Sequence, residues 1–275
     1  MMEALQIMKW PLLACLLLPG LLVYLGLHVV QREIIFVDLA LAQVAALGSC
    51  VAVLLGHEAN AWQTYAWSLS FTLVGAVIFT LTRTKDRRIP QEALIGIVYV
   101  VAAAAGILLL SHSAHGDEEL RRTLVGEVLL VQPAEIGKIF GAFAVIAAIH
   151  YFFRRQFLAL SYGPTLPAGA GWWDFLFYVL FGLVVTGFVH VGGVLLTFSY
   201  LIVPAVCAAF VADSLPVRLL VGWLIATLGS VAGLASSYRF DLPTGAAIVC
   251  ALGVALLITG ATAGLRGKPS ARLKR

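Results

Sequence analysis

The chain is 275 residues long, 61% hydrophobic and 12% charged, with a formal net charge of +4. That is too little polar surface to cover a water-soluble globule of this size, so lipid must be the solvent for most of it. The basic residues stand at the ends of apolar runs and form no patch, which excludes nucleic acid as a partner despite the positive charge.

Taken in chain order, apolar runs bounded by charges or proline predict spans at 11–30, 34–56, 61–82, 90–111, 134–152, 172–189, 192–212, 216–238 and 243–264. Each is close to the roughly 20 residues that carry a helix across a hydrocarbon core about 30 Å thick. Only helices or closed barrels satisfy every backbone group in lipid, and these runs lack the alternation of a barrel strand. The predicted fold is all-α: a polytopic membrane helical bundle of eight to nine transmembrane helices, one domain over residues 1–275. The first run follows Glu3 and Lys9 and continues past Cys15 to Val30 without an A-x-A site, which predicts a retained helix. The run 192–212 is the weakest, because Gly192-Gly193 leaves almost no loop before it and Pro204 can break it. Eight crossings plus a re-entrant piece is the alternative there. The pairs Gly137/Gly141 and Gly229/Gly233 have the small-xxx-small spacing of closely packed helices.

The Lys and Arg residues predict the sidedness. Arg32, Arg83, Lys85, Arg87, Arg88, Arg154, Arg155, Arg218, Arg266, Lys268, Arg272, Lys274 and Arg275 fall on one side; Lys9, Arg121, Arg122 and Arg239 fall on the other. Thirteen against four puts the first side in the cytoplasm, the N-terminus outside and the C-terminus inside. No GxxxxGK[ST] occurs, so the chain has no P-loop for ATP, and no HExxH, GxSxG or paired Asp points to an enzyme.

Three stretches carry a resemblance. Residues 23–48 (VYLGLHVVQREIIFVDLALAQVAALG), 191–208 (VGGVLLTFSYLIVPAVCA) and 241–247 (DLPTGAA) resemble, in order and spacing, the permease family of bacterial zinc, manganese and iron ABC importers. The resemblance implies a type II ABC importer permease fold in the bacterial inner membrane. It further implies a divalent metal ion as cargo, no cofactor bound by this chain, and three partners. These are an ATP-binding ABC subunit, an extracytoplasmic metal-binding protein and a second permease chain, identical or not. In such a permease the cytoplasmic stretch of about 153–171 carries the coupling helix, with Ser161, Tyr162, Gly163, Pro164, Thr165 and Leu166 against the ATPase. The family's acidic residue near Gly163 is missing here. An ordinary loop anchored by interfacial Trp172 and Trp173 is the other reading of this stretch.

Ionisable groups inside spans are costly, which makes each a functional candidate until a partner explains it. Asp38 is the foremost. The family's second helix carries an Asp and a His four residues apart. Aligned on Gly48, Gln43 stands at the His position and Leu39 at the Asp position, leaving Asp38 one residue off. Asp38 and Gln43 lie about 140° apart around a helix and cannot chelate one ion together. Gln is also a poor ligand for zinc or manganese. Asp38, Gln43 and His190 are therefore translocation-path candidates, and Asp38, His190 and His28 candidate metal ligands that other helices would complete. A lone His near a helix end is equally an interfacial group. His57 and Glu58, with His112, His115, Asp117, Glu118 and Glu119, form outer loops that either gather cations or are simply solvated. Glu92 and His150, near cytoplasmic ends where a polar side chain reaches water, receive no role. Asp241, Pro243 and Thr244 read as an ordinary helix start. Two other readings stand beside a bare metal ion as cargo: a same-fold permease for a chelate or other small cargo, and a stand-alone gradient-driven carrier.

Overall fold

The computed structural model describes residues 2–58, 61–82, 90–111, 124–126, 128 and 131–265, and among these there are helices and turns but no strand. Helix α1 (Met2–Leu17) and α2 (Pro19–Gln31) meet at Leu18 and together supply the first span. Pro19 opens α2, where its missing N–H costs nothing. There follow α3 (Val37–Leu54), α4 (Trp62–Leu81), α5 (Gln91–Leu110), α6 (Pro133–Phe152), the short α7 (Arg154–Tyr162), α8 (Ala170–Val211), α9 (Leu215–Phe240) and α10 (Thr244–Leu265). Eight stretches among the described residues are long and apolar enough to cross a membrane.

The count of eight instead of nine comes from α8, whose 42 residues join the predicted runs 172–189 and 192–212. Straight, such a helix would rise about 63 Å, twice the hydrocarbon thickness. It is not straight. Gly193 has φ 71 and ψ 170, and the rings of Phe188 and Tyr200 lie 5.7 Å apart. The same twelve residues of unbroken helix would separate them by about 18 Å. The two runs are limbs of a chain that folds back at Gly193, while Pro204 stays within a helical limb.

The bend sets the two ends of the bundle. At one end Gly126, with φ 69, lies against the Gly192 and Gly193 backbone, and Gly245 at the start of α10 lies against the Val125 carbonyl. Any Cβ at Gly193 would overlap the Gly126 amide. At the other end α2 stops, α7 docks, α8 begins and the second limb of α8 terminates, where Arg218 Nε donates to the Ala212 carbonyl at 2.9 Å. Arg32, Arg154, Arg155 and Arg218, which the charge count assigns to one side, share this second end. The remaining basic residues of that side, from Arg83 to Arg88 and from Arg266 to Arg275, lie outside the described residues. So do His112, His115, Asp117, Glu118, Glu119, Arg121 and Arg122.

Helix α8 is apolar all round and occupies the middle, packing on α2, α3, α4, α9 and α10 with Phe177, Tyr178, Phe181, Leu196 and Tyr200 buried. Outer helices turn large apolar side chains outward, such as Val100, Leu108 and Leu257, as lipid contact demands. On α9 the buried stripe is small, and Gly229 and Gly233 let Leu252 and Ile248 of α10 come close. Gly137 and Gly141 on α6 have open space beside them, so that predicted pair does not pack within this chain.

Candidate functional site

The residues with unusual environments collect where α7 meets the bundle. Arg32 caps the C-terminus of α2, and its Nη2 donates to Asp174 Oδ1 at 2.5 Å, with both side chains buried. Its guanidinium also stacks over Phe177 at 4.7 Å and Tyr178 at 5.3 Å. Arg32, counted above among the charges of one side, is thus an internal partner of Asp174. Asp174, absent from the sequence-derived candidates, sits just past the first turn of α8 among Trp and Phe, a place where an acid needs a cation. Glu92 likewise does more than reach water, since its Oε1 accepts from the Ile35 amide at 3.1 Å and secures the turn between α2 and α3.

Helix α7 is amphipathic, with Phe157 and Leu160 buried and Arg154 and Arg155 exposed. Its last turn is pinned to α2: Ser161 Oγ lies 2.7 Å from His28 Nδ1, and the Tyr162 hydroxyl donates to the Leu27 carbonyl at 3.2 Å. Burial pushes the Tyr162 hydroxyl further above its ordinary pKa. Beyond the pinned turn, Gly163, Pro164, Thr165 and Leu166 are all exposed. The six residues singled out for coupling therefore divide into two that hold α7 to the bundle and four that face outward.

His28 is fully buried, and so is His150. The two rings lie 6.5 Å apart, with Tyr24 edge-on to both at 4.7 and 5.4 Å, and His150 stacks on Phe157 of α7 at 4.1 Å. His28 Nε2 and both ring nitrogens of His150 have no hydrogen-bond partner. A signal for His150 was present in the sequence. It continues the buried face of α6 formed by Phe143 and Ile146, at helical spacing.

Asp38 lies in the first turn of α3, buried, with no side chain partnering either carboxylate oxygen. The positive end of α3 favours a carboxylate there without satisfying it. Gln43 is buried farther along the same helix. His190 is exposed near the Gly193 bend; its Nδ1 donates to the Thr186 carbonyl at 2.9 Å, which leaves Nε2 open, and Tyr65 lies 5.7 Å away. Asp38 and His28 sit toward the α7 end and His190 at the glycine end, so the three predicted ligands are not brought together. Among the described residues no group of three or more His, Cys, Asp or Glu could hold a metal ion. Between α4 and α8, Thr72 and Thr186 share a hydrogen bond at 2.9 Å, an interhelical polar tie of the kind that joins membrane helices. Asp241 caps α9 in the left-handed region, and Ser237 bonds Thr244 at 2.8 Å across the turn into α10.

Known proteins resemble this chain. The manganese transport system membrane protein MntC of Halalkalibacterium halodurans is 23% identical over 229 residues, covering 82% of this chain and 76% of its own length. The manganese import system permease protein ScaB of Streptococcus parasanguinis is 25% identical over 239 residues, covering 85% and 82%. Among solved structures, PsaBC from Streptococcus pneumoniae in complex with Fab has a similar fold, with a TM-score of 0.77, 23% identity, and coverage of 94% of this chain and 93% of that one. Residues 4–263 match the ABC 3 transport family, and with nearly the whole chain matched, this multi-pass membrane protein belongs to it.

Proposed function

We propose that the chain is the membrane-spanning permease of an ATP-driven importer that carries a transition-metal ion, of the zinc, manganese or iron class, across the bacterial inner membrane. Two permease chains, identical or not, form the pathway. An extracytoplasmic metal-binding protein delivers the ion, and a separate ATP-binding subunit supplies the work. The α7 end is cytoplasmic, with the N-terminus outside and the C-terminus inside. The observation that carries the reading is α7 itself, pinned to α2 by Ser161 and Tyr162 while Gly163–Leu166 stand exposed. A partner that moves those four residues pulls on α2 and α8 together. The relatives named above for manganese transport support the cargo class. Asp38, with a buried carboxylate that no side chain satisfies, is the first pathway residue to examine, followed by Gln43 and His190.

Uptake of radioactive manganese and zinc in cells lacking their own importer, with the chain expressed beside its ATPase and binding protein, tests this. Accumulation that is lost when residues 163–166 are scrambled supports the reading, and accumulation that survives the scramble or needs no ATPase defeats it. A chelate or other small cargo is the second reading, favoured by Leu39 and Gln43 standing where the family pattern has its Asp and His. Failure of either bare ion to rescue growth, with rescue by a chelated metal, selects it.

A further inference from the structure

We propose that Arg154, Arg155 and the exposed aromatic residues around them form a docking site for an anionic phospholipid, with the phosphate on the arginines and the acyl chains along the rings. Three elements converge here. Helix α6 ends in Tyr151 and Phe152, Phe153 turns the chain into α7, whose first residues are Arg154 and Arg155, and Trp172 stands at the start of α8. Phe153 and Phe157 lie 5.3 and 6.0 Å from the Trp173 ring, which brings the start of α8 beside the other two. Tyr151, Phe152, Phe153 and Trp172 are 66, 79, 41 and 62% exposed. Four large rings turned outward beside two cations are poorly matched to water. They match the boundary where acyl chains meet headgroups, at which aromatic side chains gather in membrane proteins.

Charge selects the occupant. From Tyr151 to Trp173 the chain carries no acidic residue, and Asp174 just beyond is buried against Arg32. Arg154 and Arg155 are exposed, with no acidic partner among the described residues. Arg154 is also oriented: its guanidinium stacks over the Tyr151 ring at 4.6 Å and its Nη1 donates to the Tyr151 carbonyl at 3.3 Å. Its other N–H groups are left for an acceptor outside the chain. An acidic protein surface or a free phosphate would meet the arginines and leave the rings in water. An anionic phospholipid satisfies both, because its phosphate and acyl chains are joined in one molecule. The last turn of α7 is held to α2 by Ser161 and Tyr162. A lipid on Arg154 and Arg155 adds a hold at the other end of the same helix, so bilayer charge sets how firmly α7 is seated. The site depends on neither the cargo nor the ATPase.

The full-length chain in detergent is titrated separately with phosphatidylglycerol and with phosphatidylcholine of the same acyl chains, and bound lipid is counted by native mass spectrometry. Phosphatidylglycerol should bind more tightly. R154Q combined with R155Q should lower its affinity about 25-fold, since each basic group at an anionic surface contributes a factor of about five. R154K with R155K should keep most of the preference. R239Q, which removes a positive charge from the last turn of α9 at the opposite end of the bundle, should keep all of it. Hydrogen exchange over residues 151–158 should slow with phosphatidylglycerol and not with phosphatidylcholine. Equal binding of the two lipids, or an equal loss from R239Q, overturns the proposal. So does competition by water-soluble glycerol phosphate, which would mark a simple anion site. Protection of residues 151–158 by an added ATPase subunit but not by phosphatidylglycerol gives the patch to that protein and also overturns the lipid. Should the double variant fail to fold, R155Q alone is read the same way, with an expected loss of about fivefold. None of these measurements involves transport, so their failure leaves the importer reading standing, and failed uptake in cells leaves the lipid site standing.

Discussion

The two ends of the bundle are closed by different physics. At the α7 end the ties are side-chain polar contacts: Arg32 with Asp174, His28 with Ser161, Tyr162 with the Leu27 carbonyl, Glu92 with the Ile35 amide. At the other end main chain meets main chain, Gly126 on Gly192 and Gly193 and Gly245 on the Val125 carbonyl. Directional polar contacts can be exchanged one at a time for others of similar strength. A glycine contact has no such intermediate, because any added Cβ overlaps a backbone atom. The α7 end is thus the one whose ties can be exchanged singly, and it is the end that the proposal above gives to the ATPase.

The sharpest way to break the comparison is to remove half of the buried ion pair. Arg32→Ala or Asp174→Ala leaves a charge in an apolar place, and each should cost about 3–5 kcal/mol of stability. Arg32→Met combined with Asp174→Leu should recover most of that loss, because an apolar pair needs no compensation. Thermal unfolding in detergent reads all three. A double variant as unstable as the singles would show that the polar end draws its strength from something other than this pair. The double variant also separates stability from coupling, since it should fold yet lose the directional tie between α2 and α8.

The glycine end should fail sterically instead. Gly193→Ala forces φ 71, ψ 170 on a residue with a Cβ, about 1–3 kcal/mol of backbone strain, and adds an overlap with the Gly126 amide. A lowered unfolding midpoint is expected. Gly141→Ala on α6, where space is open, should leave stability unchanged or raise it by up to about 1 kcal/mol through helix propensity, so that the midpoint holds or rises. Equal effects at the two positions would show that the bend is not a tight junction.

These ends also differ in how legible they are in sequence. Gly192-Gly193 between two apolar runs announces a break, because few other reasons put paired glycines there, and the spans follow from length and hydropathy alone. The α7 end does not announce itself. Arg32 looks like any positive residue beside a membrane, and only the fold reveals that Asp174, 142 positions away, takes it out of solvent. His28 and His150 belong to helices whose pairing no local pattern encodes. Asp38 was legible as a costly charge, yet whether a partner satisfies it is a question of packing. The small-residue pairs show the same limit: Gly229/Gly233 is packed and Gly137/Gly141 is not, although their spacing is identical.

The smallest expected effect sharpens the contrast most. Tyr162→Phe keeps the ring and deletes one hydrogen bond to the Leu27 carbonyl, worth about 1 kcal/mol. If α7 opens as a local unit, that loss appears as roughly fivefold faster hydrogen exchange across residues 154–162, with exchange near Gly193 unchanged. The reason is that α7 touches the rest of the chain through few residues, chiefly Phe157, Leu160, Ser161 and Tyr162, so its opening need not disturb the α8 core. Should exchange rise by the same factor at both ends, the bundle opens as one cooperative unit. The α7 end would then be no more mobile than the glycine end, and the physical distinction between them would fall.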